Sequence, residues 1–127
     1  RFNQDAGKFV GLDRDPPIQS WTALDDAPEY AGCLEIVPGS HARGCATPRG
    51  GLVPEPLVAS SGADRAAVKV PARAGDLVVL HNLVWHRSGI NATGKTRRAF
   101  SVCYMSAGTR CTRKKRTPRT FVRVFAQ

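Results

Sequence analysis

Acidic residues are scarce in this 127-residue chain and are missing altogether from its last third. From Gly94 to Gln127 there are ten Lys/Arg and no Asp/Glu, while residues 1–93 hold nine basic and ten acidic side chains. The net charge of +9 therefore belongs to one end of the chain, where it could serve nucleic acid or an acidic ligand. No run of 18 apolar residues occurs, so no segment reads as a membrane-spanning helix. The four cysteines, Cys33, Cys45, Cys103 and Cys111, form no C-x-x-C pair, which argues against a zinc knuckle or a thioredoxin-like motif. Reduced thiols in a cytoplasmic protein are the expectation. Helical periodicity is almost absent, and only Pro54 to Ser60 reads as a helical turn.

What the chain does have is a succession of short apolar stretches between turn residues. Ile18–Leu24, Cys33–Val37, Ala67–Val70, Leu77–His81, Ala99–Met105 and Thr120–Phe125 are rich in Val, Ile, Phe, Trp and Thr and are bounded by Gly, Pro, Asp or Asn, the composition of strands. AFSVCYM alternates Phe100, Val102 and Tyr104 against Ser101 and Cys103, as a strand with two distinct faces does. Many short strands and little helix predict one all-β domain over residues 1–127, a sandwich or barrel. A basic loop at 108–119 precedes the last expected strand.

Chemistry-bearing residues are few. Of the three histidines, His86 follows the apolar run LVVLHNLV and precedes the polar turn RSGINATGK, which places an imidazole where a rigid strand hands side chains to a site. His81 reads as packed within a strand. Arg97 and Arg98 lead into AFSVCYM. A guanidinium entering a β-core needs an anion to meet it, and its planar fork suits a carboxylate; the plain alternative is one arginine facing solvent and the other paired with an ordinary Asp or Glu.

Two long segments, WTALDDAPEYAGCLEIVPGSH (Trp21–His41) and AGDLVVLHNLVWHRSGINATGKTRRAFSVCYM (Ala74–Met105), together with the QD of RFNQDAGKF, resemble the pattern of the phytanoyl-CoA dioxygenase family. The resemblance covers residue 3 to about residue 105. It implies a double-stranded β-helix, a jelly-roll or cupin-like fold, here as the C-terminal catalytic portion without the helical N-terminal part that members carry. It further implies an oxygenase using Fe(II), 2-oxoglutarate and O2 to hydroxylate a small organic substrate, with succinate and CO2 as co-products. By position in the pattern, Asp5 and His86 are the implied metal ligands. Arg97, eleven residues after His86, and Ser88 are implied to bind the far carboxylate of 2-oxoglutarate, with Trp21 and Gln4 near the same co-substrate. Arg98 is expected on the surface. His41, in PGSH, is common to the pattern with either a substrate or a turn-supporting role. The loop from Ala42 to Asp64 is the first place to look for substrate contacts.

The chain departs from the pattern at Asn3, where the family has its first histidine ligand. An amide offers only its carbonyl oxygen, a weaker donor than imidazole. Three readings stay open: a metal site with Asn3 or water in that position, a member that has lost oxidation and keeps a binding or structural role, or an altered residue near the chain start. The rival from another class is a nucleic-acid-binding module built on RCTRKKRTPRTFVRV, in which only Phe121 and Phe125 offer stacking surfaces. If the basic end matters to the enzyme, an anionic substrate such as a carrier-linked acyl group fits it equally.

Overall fold

The computed structural model of the chain describes residues 1–8, 10–114 and 119–125. Eight strands run in the order β1 (Asn3–Gln4), β2 (Ile18–Ala23), β3 (Leu34–Ile36), β4 (Gly51–Leu52), β5 (Val68–Val70), β6 (Leu77–His81), β7 (His86–Ser88) and β8 (Ala99–Tyr104). A 3-10 turn, Ser40–Arg43, follows β3, and two short helices, α1 (Glu55–Ser61) and α2 (Ala63–Ala66), lie between β4 and β5. Helix α1 starts behind Pro54 with Pro56 in its first turn, where a missing N–H costs nothing, and Gly62 closes it at φ 67°.

The strands form two sheets, one of five strands in the order β4-β1-β7-β3-β5 and one of three in the order β6-β2-β8. Every pairing is antiparallel. This is the double-stranded β-helix that the resemblance implies. One apolar cluster joins the two sheets through Trp21, Leu80, Leu34 and Cys33. A second, with Phe2, Trp85, Val53, Val58 and Ala63, packs the helices against the back of the five-stranded sheet. Because neighbours along a strand face opposite ways, Phe2 and Trp85 on that back place Asn3 and His86 on the front, toward the three-stranded sheet.

Gly50 fixes how tightly the front is built. A Cβ there would fall 1.6 Å from the Ala6 carbonyl oxygen, and its φ is +69°, so only glycine lets the chain before β4 pass against the chain after β1.

Five of the six expected strands are present with ends shifted by at most a residue, and the helical turn at Pro54–Ser60 is α1. The sixth is a correction: Thr120–Phe125 contains no strand, and Val122 and Val124 are exposed. A β-prone composition makes a strand only where an edge pairs with it. The last pairing in this part of the chain is the single bridge Leu12↔Cys111, after which Arg119 reaches back to the carbonyls of Val10 and Gly11. Of the basic loop expected at 108–119, residues 115–118 lie outside the described residues. His81 is also corrected. It is exposed, because Leu80 takes the inward position and the next side chain must turn outward.

Candidate active-site cavity

Strand β1 has only two residues, yet it positions three side chains. Asn3 is the register partner of His86 on β7, so both project from the same face, and Asp5, two residues on, follows them. Asp5 is clamped through its backbone: its N–H donates to the Asn82 carbonyl at 3.0 Å, and the fully buried Asn82 side chain donates back to the Asp5 carbonyl at 3.0 Å. Its carboxylate accepts from Gln19 Nε2 at 2.7 Å. His86 Nδ1 lies 3.0 Å from the Val84 carbonyl; an acceptor there places the hydrogen on Nδ1 and leaves Nε2 facing the front of the sheet. That Nε2 is 3.3 Å from Asp5 Oδ2 and 3.1 Å from the Asn3 amide.

The electrostatics follow from this arrangement. The hydrogen bond from His86 lowers the pKa of Asp5 below its ordinary value, against the opposing effect of burial. For His86, burial acts downward, but the Asp5 carboxylate and the Val84 carbonyl together raise it above its ordinary value.

Asp5 and His86 open into a cavity of about 260 Å³, to which the three-stranded sheet contributes Gln19, Trp21, Ser101 and Cys103. Register explains this set. Gln19 pairs with Leu80 and Cys103, and Trp21 pairs with Val78 and Ser101, so one inward face of three strands supplies the wall. Above Trp21, the guanidinium carbon of Arg97 sits 5.6 Å from the ring centroid, and Arg97 Nη2 donates to Ser88 Oγ at 3.0 Å. Arg97 Nε is buried with no hydrogen-bond partner among the described residues, a donor that calls for an acceptor. Arg98, its neighbour, is exposed and fully engaged: its backbone and guanidinium give three hydrogen bonds to Asp25, which hold the Asp25 carboxyl down at about 2.

Asp5, His86 and Trp21 thus line one space, and Arg97, with Ser88 bonded to it, borders that space across the Trp21 ring. Gln4 does neither. It is fully buried behind β1, donating to the carbonyls of Leu83 (2.6 Å) and Gly44 (3.0 Å) and accepting from Ala46 N–H (2.8 Å). Strand alternation sends it to the back of the sheet, so its task is to hold the loop, not the co-substrate. His41 is exposed in the 3-10 turn, 5.2 Å from the His81 ring. In PGSH it is Ser40 that secures the turn, donating to the Val37 carbonyl and accepting from Trp85 N–H. Sequence reasoning missed Gln19 and Asn82. The i, i+2 spacing of Gln19 and Trp21 carries a signal for the first; nothing in the sequence marks Asn82.

A family model described as Phytanoyl-CoA dioxygenase (PhyH) matches residues 4–99. The chain belongs to the phytanoyl-CoA dioxygenase family. It is 33% identical over 113 residues to phytanoyl-CoA dioxygenase domain-containing protein 1 of Mus musculus, covering 84% of this chain and 36% of that protein. Among solved structures it is similar to the non-heme alpha ketoglutarate dependent carbocyclase SnoK from nogalamycin biosynthesis, with a TM-score of 0.69 and 29% identity over 86% of this chain and 43% of that one. The epimerase SnoN, solved in complex with Fe3+, alpha ketoglutarate and nogalamycin RO, matches with a TM-score of 0.67 and 30% identity over 87% of this chain and 43% of that one. The chain thus spans about a third of the length of the curated family member and less than half of these structures.

The residues present can be tested against an iron ion with 2-oxoglutarate. Neighbouring ligands on an octahedral ion with bonds of about 2.1 Å lie about 3 Å apart. The 3.3 Å separation of His86 Nε2 and Asp5 Oδ2 matches such an edge, while the 3.1 Å contact of Asn3 is made by its NH2 nitrogen, which has no lone pair to give. The lone buried Nε of Arg97 matches a carboxylate. Asp5, His86 and Arg97 fit the group, with the Asn3 amide beside the pair.

Proposed function

We propose that this chain carries the catalytic cavity of an Fe(II)- and 2-oxoglutarate-dependent oxygenase that hydroxylates a small organic substrate. The observation that carries this reading is the pairing of Asp5 and His86 on one cavity, with the buried, partnerless Nε of Arg97 against the Trp21 ring that walls it. Fe(II) with 2-oxoglutarate and O2 would supply the oxidising chemistry, the co-substrate leaving as succinate and CO2.

The chain's own residues supply position. Gln19 and the Asn82 clamp hold the Asp5 carboxylate in one orientation, and the Val84 carbonyl fixes the His86 ring so that Nε2 is the available donor. Arg97, with Ser88 steadying its fork, would receive the far carboxylate of 2-oxoglutarate through charge-assisted hydrogen bonds. Trp21 lies beneath that guanidinium and walls the space, which limits water around the reacting centre. All four cysteines are free, in keeping with a reducing, cytoplasmic setting. Among the described residues no helix is long and apolar enough to cross a membrane.

The test is iron-dependent succinate release from 2-oxoglutarate under O2. The native chain and Asn3→His should both turn over, and Arg97→Ala should not. Silence in both native chain and Asn3→His defeats the proposal. A second reading, a 2-oxoglutarate binder without oxidation, is favoured by the amide of Asn3 facing His86; it requires turnover in Asn3→His alone.

A further inference from the structure

Asn3 stands where the family pattern has an imidazole, and its surroundings say what the amide is for. Its one side-chain hydrogen bond among the described residues is to His86 Nε2. Resting on the reading that Asp5 and His86 hold a divalent metal, we infer that Asn3 is the third protein ligand, through Oδ1, giving a site of one nitrogen and two oxygens whose preference among divalent ions is displaced toward oxygen-seeking Mn(II).

Three features support this. The first is place: Asn3 pairs directly with His86 across β1 and β7, so the amide stands at a distance suited to neighbouring ligands on one ion. The second is the electrostatics of the gap. With Nδ1 on the Val84 carbonyl, His86 directs Nε2 at Asp5 Oδ2 3.3 Å away; a proton shared across that gap can be replaced by a metal cation bound to both atoms. A cation repels the amide NH2, which has no lone pair to give, and attracts the amide oxygen. A half-turn about the last side-chain bond exchanges the two with nearly the same shape, and here it breaks a single hydrogen bond. The third feature is the want of a competitor. Cys103 lines the same cavity, yet among the described residues no three His, Cys, Asp or Glu side chains gather closely enough to hold a metal, so the thiol does not complete the set.

The consequence is selectivity. Imidazole suits Fe, Ni, Cu and Zn, whereas carboxylate and carbonyl oxygens suit Mn, Mg and Ca. Replacing one imidazole by an amide oxygen shifts the balance between these groups while sparing the triangle of positions.

The experiment is anaerobic titration of the 127-residue chain with Mn(II), followed by electron paramagnetic resonance, and with Ni(II), by competition against a chelator. Asn3→Ala should weaken Mn(II) binding by at least about ten-fold, the lower end of what even an outer partner of a metal site contributes. Asn3→Asp, which keeps an oxygen in place, should retain it. Asn3→His should raise the Ni(II)-to-Mn(II) affinity ratio by about ten-fold or more. Mn(II) affinity unchanged in Asn3→Ala overturns the inference and leaves the Asp5–His86 site standing. Binding by Asn3→His but not by the native chain also overturns it alone. Binding by neither defeats the oxygenase reading as well.

Discussion

The two faces of the three-stranded sheet invert the usual rule for a globular protein. The inward face carries Gln19, Trp21, Ser101 and Cys103 beside Leu80, while the outward face shows Ile18, Leu77, Val79, Phe100 and Tyr104 to solvent at 43–59% exposure. Polar groups stand inside because the space they surround is a cavity and not a close-packed core. Apolar groups stand outside on strands whose alternation is otherwise regular. The cavity side and the outward side of this sheet therefore meet different surroundings, and substitutions on the two sides should behave differently.

The largest effects belong to the cavity. On the proposed reading His86→Ala removes a metal donor and should lower Mn(II) affinity by more than about a hundred-fold, read in the titration above. Trp21→Ala, at a site 7% exposed, should cost about 3–5 kcal/mol, seen as a lower urea midpoint. A midpoint like that of the native chain would mean the ring closes the cavity without supporting the fold. The adjacent arginines sharpen the contrast further. Arg97→Ala should weaken 2-oxoglutarate binding by about 10–100-fold, the worth of one charge-assisted contact, and Arg98→Ala should leave it within about two-fold, both measured by calorimetry. Equal losses would show that the pocket extends to the Asp25 side.

A pH series on the metal-free chain gives a smaller signal with two limbs. The Asp5 contribution to stability is present above its unfolded pKa and is lost as pH falls through its lower folded value. The His86 contribution is fully present below its unfolded pKa and is lost as pH rises through its raised folded value. Stability from the pair should therefore peak between the carboxylate and imidazole ranges, and Asp5→Asn should flatten both limbs of the urea midpoint against pH. Smallest of all, Phe100→Ser on the outward face should change folding stability by no more than about 0.5 kcal/mol. A large loss would reveal packing on that face.

The long strands were legible because β2, β6 and β8 are five or six residues long, and alternation needs that length to show. The three-residue β3 and β5 showed through their apolar stretches, whereas β1, β4 and β7, of two or three residues rich in polar side chains or glycine, carry no such mark and exist because neighbours pair with them. Thr120–Phe125 failed for the converse reason, with composition but no partner. At the site, Asp5, His86 and Trp21, expected from a family pattern, line one cavity with Arg97 against the Trp21 ring, and their proposed roles await the experiments above. Gln4 was misplaced because adjacency to Asp5 in the chain means the opposite face of a strand. Asn82 was invisible because its work is a pair of contacts with the Asp5 backbone, and no sequence pattern marks which loop asparagine makes them.

The amide of Gln4 has a mechanical consequence. It ties Gly44, Ala46 and Leu83 to the middle of a segment whose next residues on either side are Asn3 and Asp5. Pulling the 44–46 loop outward would tug on a lever only one residue from Asn3 and from Asp5, the two proposed oxygen donors. A molecule that settles against that loop would be weighed at the metal corner without touching it, and Gln4→Leu would cut the linkage while leaving both ends in place.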